Sequence, residues 1–95
     1  MSKKGKAKFY LYESQLVRID NNDSNICCWE APKKRKDGFW FIPSWSDGIY
    51  LVVHSKPITE EEAIAYTIEG YKIIKREVNK EFALNKLYEQ PKTGK

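Results

Sequence analysis

The sequence predicts an α+β fold: an antiparallel β-meander of four to five strands, followed by a C-terminal helix packed on one face. Three observations predict it. Short aromatic and β-branched runs alternate with turn chemistry as far as His54, the pattern of consecutive strands. Asp47-Gly48 stands between two such runs, and Asp-Gly is a strong two-residue hairpin signal. After Pro57 the apolar residues recur at steps of three and four, the period of a helix.

The elements follow in order. Residues 1–6 are polar and basic and are expected to form part of a flexible tail, 1–7. Lys8 to Tyr12, KFYLY, is an aromatic-rich strand. Gln15 to Asp20, QLVRID, is the next, with Val17 and Ile19 on one face and Arg18 on the other. Asn21 to Asn25 is a loop by chemistry, since Asn, Asp and Ser bond their own backbone. Ile26 to Glu30, ICCWE, returns as a strand. Ala31-Pro32 ends it, and the basic run to Asp37-Gly38 is a turn.

The central prediction is a hairpin over Asp37 to His54 with Asp47-Gly48 at its tip. That register opposes Trp45 to Tyr50, Pro43 to Val52 and Phe41 to His54. One face then carries Trp40, Ile42, Leu51 and Val53. The other carries Phe39, Phe41, Pro43, Trp45, Tyr50, Val52 and His54. Antiparallel hairpins usually keep one face polar, so the aromatic face must either be covered or serve as a binding surface. Pro43 lacks an N–H and marks an edge strand or a bulge.

Thr59-Glu60-Glu61-Glu62 is a capping box, and its carboxylates suit the positive end of a helix. Ile64, Ile68, Tyr71, Ile74, Val78 and Phe82 then form one stripe. An unbroken helix to Glu89 would be about 45 Å long, against about 30 Å for a compact domain of this size. The helix therefore breaks near Gly70 or Asn79, or its last third projects and offers Phe82, Leu84 and Leu87 for a homodimer. Gln90-Pro91 stops it, leaving a second flexible tail at 90–95. The length bounds a single domain, 1–95.

The formal charge of +4 is unevenly placed: residues 1–56 hold ten Lys/Arg and six Asp/Glu, and the remainder holds seven of each. The excess sits at Lys3, Lys4, Lys6, Lys8 and Lys33 to Lys36, which favours an acidic partner such as nucleic acid. Cys27 and Cys28 are adjacent and form neither a CxxC nor a zinc spacing, so two reduced thiols in a cytoplasmic protein are expected. No signal peptide or membrane span is expected.

No catalytic signature, metal cluster or phosphate loop is present in the motifs, so a protein without enzymatic activity, metal or cofactor is expected. His54, at a strand end, reads as structural. Two functions remain. The first is a protein-binding module, an inhibitor or accessory factor of a phage or mobile element acting on a host protein or nucleoprotein complex. Phe39, Phe41, Trp45, Tyr50 and His54 would contact the partner, since interface anchors are made of aromatic residues. The alternative is a nucleic-acid-binding domain in which Lys33, Lys34, Arg35 and Lys36 track phosphates while Trp40 stacks a base.

The stretch GFWFIPSWSDGIYLVVHSKPITEEEAIAYTIEGYKI also resembles AP2-type and integrase arm-binding DNA domains. In those a three-stranded sheet enters the major groove, backed by a helix opening with a Thr-x-Glu-Glu-Ala-like run, here Thr59 to Ala63. Their groove-facing strands carry Arg and Lys, where this chain has Phe, Trp, Ile and Tyr. The resemblance thus implies a strand–turn–strand–helix and transfers no DNA-contacting residue.

Overall fold

In a computed structural model, residues 7–20 and 26–92 are described. The expected Asn21–Asn25 loop and the basic residues Lys3, Lys4 and Lys6 lie outside them. The fold is α+β, with five strands and three helices: β1 (Lys8–Tyr12), β2 (Gln15–Ile19), β3 (Ile26–Glu30), β4 (Phe39–Phe41), α1 (Trp45–His54), β5 (Lys56–Ile58), α2 (Glu60–Lys72) and α3 (Lys80–Leu87). The strands form one antiparallel sheet in the order β4-β3-β2-β1-β5.

The first four strands are the predicted meander. β1 turns into β2 through Glu13-Ser14, with Glu13 at φ 54°. Lys33 and Lys36 exchange both backbone hydrogen bonds at the tip between β3 and β4. Phe9, Leu16, Arg18, Cys27, Trp29 and Trp40 share the face covered by α2 and α3. Burying those side chains together with Ala63, Ile64, Tyr71, Ala83 and Leu87 makes the main core.

The Asp47-Gly48 hairpin is not formed. Both residues lie in the first turn of α1, and none of the expected pairings across them exists. β4 pairs instead with β3, setting Trp40 opposite Trp29. The outer edge of β4 is met by Lys92, whose N–H donates to the Trp40 carbonyl at 2.8 Å. The resemblance to AP2-type and integrase arm-binding domains fails at the same place, because its second strand is a helix here.

Topology explains the correction. β4 and β5 occupy opposite edges and run in the same direction. Strands are about 4.8 Å apart, so the chain must cross roughly 19 Å over one face between them. A crossover takes about a dozen residues and is usually helical. Local chemistry agrees. Ser44 Oγ accepts from the Asp47 N–H at 3.3 Å, and the Gly48 N–H donates to the Ser44 carbonyl at 2.9 Å. This is an N-cap. Gly48 serves close approach rather than reversal: a Cβ there would stand 3.2 Å from Ile26 Cγ2 and 3.4 Å from Pro43 Cγ.

The capping box at Thr59 is present in full. Glu62 N–H donates to Thr59 Oγ1 at 3.1 Å, and Thr59 N–H donates to Glu62 Oε1 at 2.9 Å. The helix breaks after Lys72, within the predicted region, and resumes at Asn79, whose Oδ1 accepts from Phe82 N–H at 2.8 Å. α3 folds back against α2 and the sheet, and Leu87 is fully buried. No projecting third exists to carry the homodimer.

Arg18 fastens the end of α3. It is buried, and its Nη1 donates to the carbonyls of Leu87 and, at 3.0 Å, Glu89. Trp40 Nε1 donates to the Lys86 carbonyl at 2.8 Å. Helix C-termini leave carbonyls without intrahelical partners, and a cation there also suits the dipole. Asp20 balances the guanidinium at 3.0 Å.

Candidate functional site

The crossover helix lies on the sheet face opposite α2 and α3, over β1 and β3. Its residue buried against that face is Gly48. Trp45, Ile49 and Val53 recur every four residues and form a row about 12 Å long up one flank of the helix, turning outward toward Val53. Ile42, just before the helix, extends it. Exposure decides what this row is: Trp45 is 79% exposed, Val53 68%, Ile42 48% and Ile49 37%. The row carries no charge.

Tyr50, itself 52% exposed, forms a small aromatic cluster on the flank of the row. Its ring stands 4.3 Å from His54 and meets Tyr12 edge-on at 6.1 Å. Hydrogen bonding to Tyr50, with repulsion from Tyr50 and Glu13, raises the Tyr12 phenol above its ordinary value.

The five residues expected to contact a partner separate into two groups. Trp45, Tyr50 and His54 are all exposed on α1, Tyr50 and His54 as neighbours and Trp45 on the other side of the helix. Phe39 and Phe41 stay on β4, half-buried, and the Lys92 ammonium sits 5.1 Å above the Phe39 ring. Strand alternation assigned Ile42 and Val53 to the opposite, aliphatic face. At a helical period they join Trp45. The signal that finds them is Ser44-x-x-Asp47, a capping pattern.

The nucleic-acid set also separates. Lys33, Lys34, Arg35 and Lys36 are exposed in their turn, with Lys33 paired to Glu30 at 2.7 Å. Trp40 is fully buried between Trp29, 5.3 Å away, and Arg18, 4.8 Å from its ring. It has no face to offer a base, which corrects its expected stacking role.

Cys27 and Cys28 are free and buried. Burial raises both thiols, and with Cys27 and Asp47 as neighbours it pushes Cys28 up to about 11. A thiol so protonated is a poor nucleophile. Among the described residues no group of His, Cys, Asp and Glu could hold a metal ion, and no helix is long and apolar enough to cross a membrane. No family model, curated protein or solved structure matches this chain.

Proposed function

We propose that this chain is a small, non-enzymatic protein-binding module whose α1 ridge seats in an apolar groove of a partner protein. The observation that supports it is Trp45 standing exposed at the head of a continuous apolar row. Scattered surface hydrophobes are ordinary, but a contiguous exposed patch marks an interaction site. Anchors at i, i+4 and i+8 are how an amphipathic helix reads a groove, and Trp and Tyr dominate interface energetics. The row is uncharged, so the groove it fits is apolar; Asp47 and His54 lie on the other side of the helix. An inhibitory or accessory role on a host protein, from a phage or mobile element, belongs to this same proposal. The free, buried thiols suit a cytoplasmic setting.

A photo-crosslinking residue placed at Ile49 tests it in host lysate, with Trp45→Glu in the same chain as the competitor control. The expected result is a discrete adduct with one protein species. It disappears in the Trp45→Glu chain, whose circular dichroism and Tm stay those of the parent. Adducts that persist unchanged in the Trp45→Glu chain, or that never form, overturn the proposal.

A further inference from the structure

The fold brings together two turns that lie some forty residues apart in the sequence. One is the tip between β3 and β4, Lys33 to Lys36. The other is the end of α2, Lys72 to Arg76. Between them Lys34, Ile73, Ile74 and Lys75 line an open cleft of about 360 Å³. The two turns carry seven cations, Lys33, Lys34, Arg35, Lys36, Lys72, Lys75 and Arg76, of which Lys34 and Lys75 line the cleft. Three carboxylates answer them, Glu30 to Lys33, Glu69 to Lys72 and Asp37 to Arg76. Lys34, Arg35, Lys36 and Lys75 have no ion pair among the described residues. Arg76 is fixed by its aromatic neighbours, its guanidinium 5.2 Å from the Tyr71 ring and 4.8 Å from that of Phe82. At one side Ile73 stands 69% exposed.

Lys75 is the telling residue. Its φ is 58°. The Lys75 N–H donates to the Lys72 carbonyl at 2.9 Å and the Arg76 N–H to the Tyr71 carbonyl at 3.1 Å. Those two bonds are the helix-ending motif whose left-handed position glycine ordinarily fills. A lysine there keeps a strained backbone that glycine would relieve. Strain that persists where an unstrained residue was available points to a use for the side chain, and this side chain lines the cleft.

We infer that the cleft binds single-stranded nucleic acid through its phosphate backbone. The lysines of the two turns would hold successive phosphates, while Ile73 offers an apolar contact to a sugar or base. A concave site with cations on both walls suits a strand, and exposed lysines without ion pairs among the described residues suit phosphates that must shed counterions. This surface shares no residue with the α1 ridge, so it stands or falls separately from the proposal above.

The test is fluorescence anisotropy with a short labelled oligothymidine, titrated between about 50 and 200 mM salt. Three or four phosphate contacts predict a slope of log K against log salt of about −2 to −3 for a single strand. Lys75→Gly is the decisive variant. It should raise Tm by a few degrees while lowering affinity several-fold and making the slope shallower by about 0.7. Lys34→Gln with Arg35→Gln, in an exposed turn, should weaken binding further with Tm unchanged. Lys8→Gln with Lys56→Gln removes equal charge from β1 and β5 and should leave the slope as it was. Absence of binding at the lowest salt, cleft variants that bind like the parent, or an equal loss in the Lys8/Lys56 control each overturns the inference.

Discussion

On one side of the sheet α2 and α3 bury Ala63, Ile64, Thr67, Tyr71, Ala83 and Leu87; on the other, α1 buries Gly48 and little else. The composition of the helices points the opposite way. α1, WSDGIYLVVH, carries one carboxylate and one histidine, whereas α2 alone carries four glutamates and a lysine. The more polar layer makes the core. Two helices side by side enclose the sheet face and are tied to it by Arg18 and Trp40. A single ten-residue crossover has no helical neighbour, so its outward stripe has nothing to pack against. Apolar content therefore tells how much surface a segment wants covered, and topology decides whether the same chain covers it.

The widest gap this contrast predicts is between two tryptophans. Trp40→Ala empties a fully buried site and removes the bond to the Lys86 carbonyl, so a loss of about 3–5 kcal/mol is expected in a urea melt. Trp45→Ala, on the exposed row, should change stability by about 0.5 kcal/mol or less. Equal losses would make α1 part of the core and break the comparison.

A smaller effect is expected at the clamp between sheet and α3. Arg18→Met keeps the side-chain bulk but leaves the Leu87 and Glu89 carbonyls without their donor, and Asp20 without its cation. A loss of about 2–3 kcal/mol should follow. Native-state hydrogen exchange would show the α3 amides opening first, while those of α1 keep their rate. Uniform acceleration throughout would mean that the helices on the two faces do not differ in how they are attached.

The smallest effect concerns acid. Burial opposes the charge on Asp37, yet the neighbouring Tyr71 hydroxyl, the Lys86 ammonium and the Gly38 amide hold its carboxyl below the ordinary value. A depressed carboxyl contributes stability that is complete above its unfolded value of about 4 and fades as pH falls through the folded one. Asp37→Asn should therefore flatten the acid limb of the stability profile below about pH 4. A limb unchanged by that substitution would exclude Asp37 as its source. Asp37 belongs to the α2/α3 side through Lys86 and Arg76, so the effect should leave α1 unmoved.

What could be read from residues alone was what neighbours in sequence settle. β1, β2 and β3 follow from alternation and turn chemistry over five residues each. The Thr59 cap follows from a hydrogen-bond pattern spanning three. Chemistry alone nominated Trp45 and Tyr50 as candidates for partner contact; their exposure on a helix came from the structure. The segment from Ile49 to Val53 was not legible, since an unbroken β-branched and aromatic run has no period to separate strand from helix. Asp47-Gly48 suits a type I′ turn, yet Asp also suits a helix's first turn and Gly a tight helix–sheet contact. The Lys34–Lys75 cleft joins two turns with no sequence signal between them.

By itself the sequence determined the class of fold, the order of the first strands and the start of the second helix, because each rests on contacts a few residues apart. Only the tertiary structure decided that the segment after β4 crosses the sheet. With β3 and Lys92 satisfying β4, and β5 needed at the far edge, that crossing had to be made over one face. Its physical consequence is the exposed ridge, a stripe of side chains on the flank of a helix that no second layer covers.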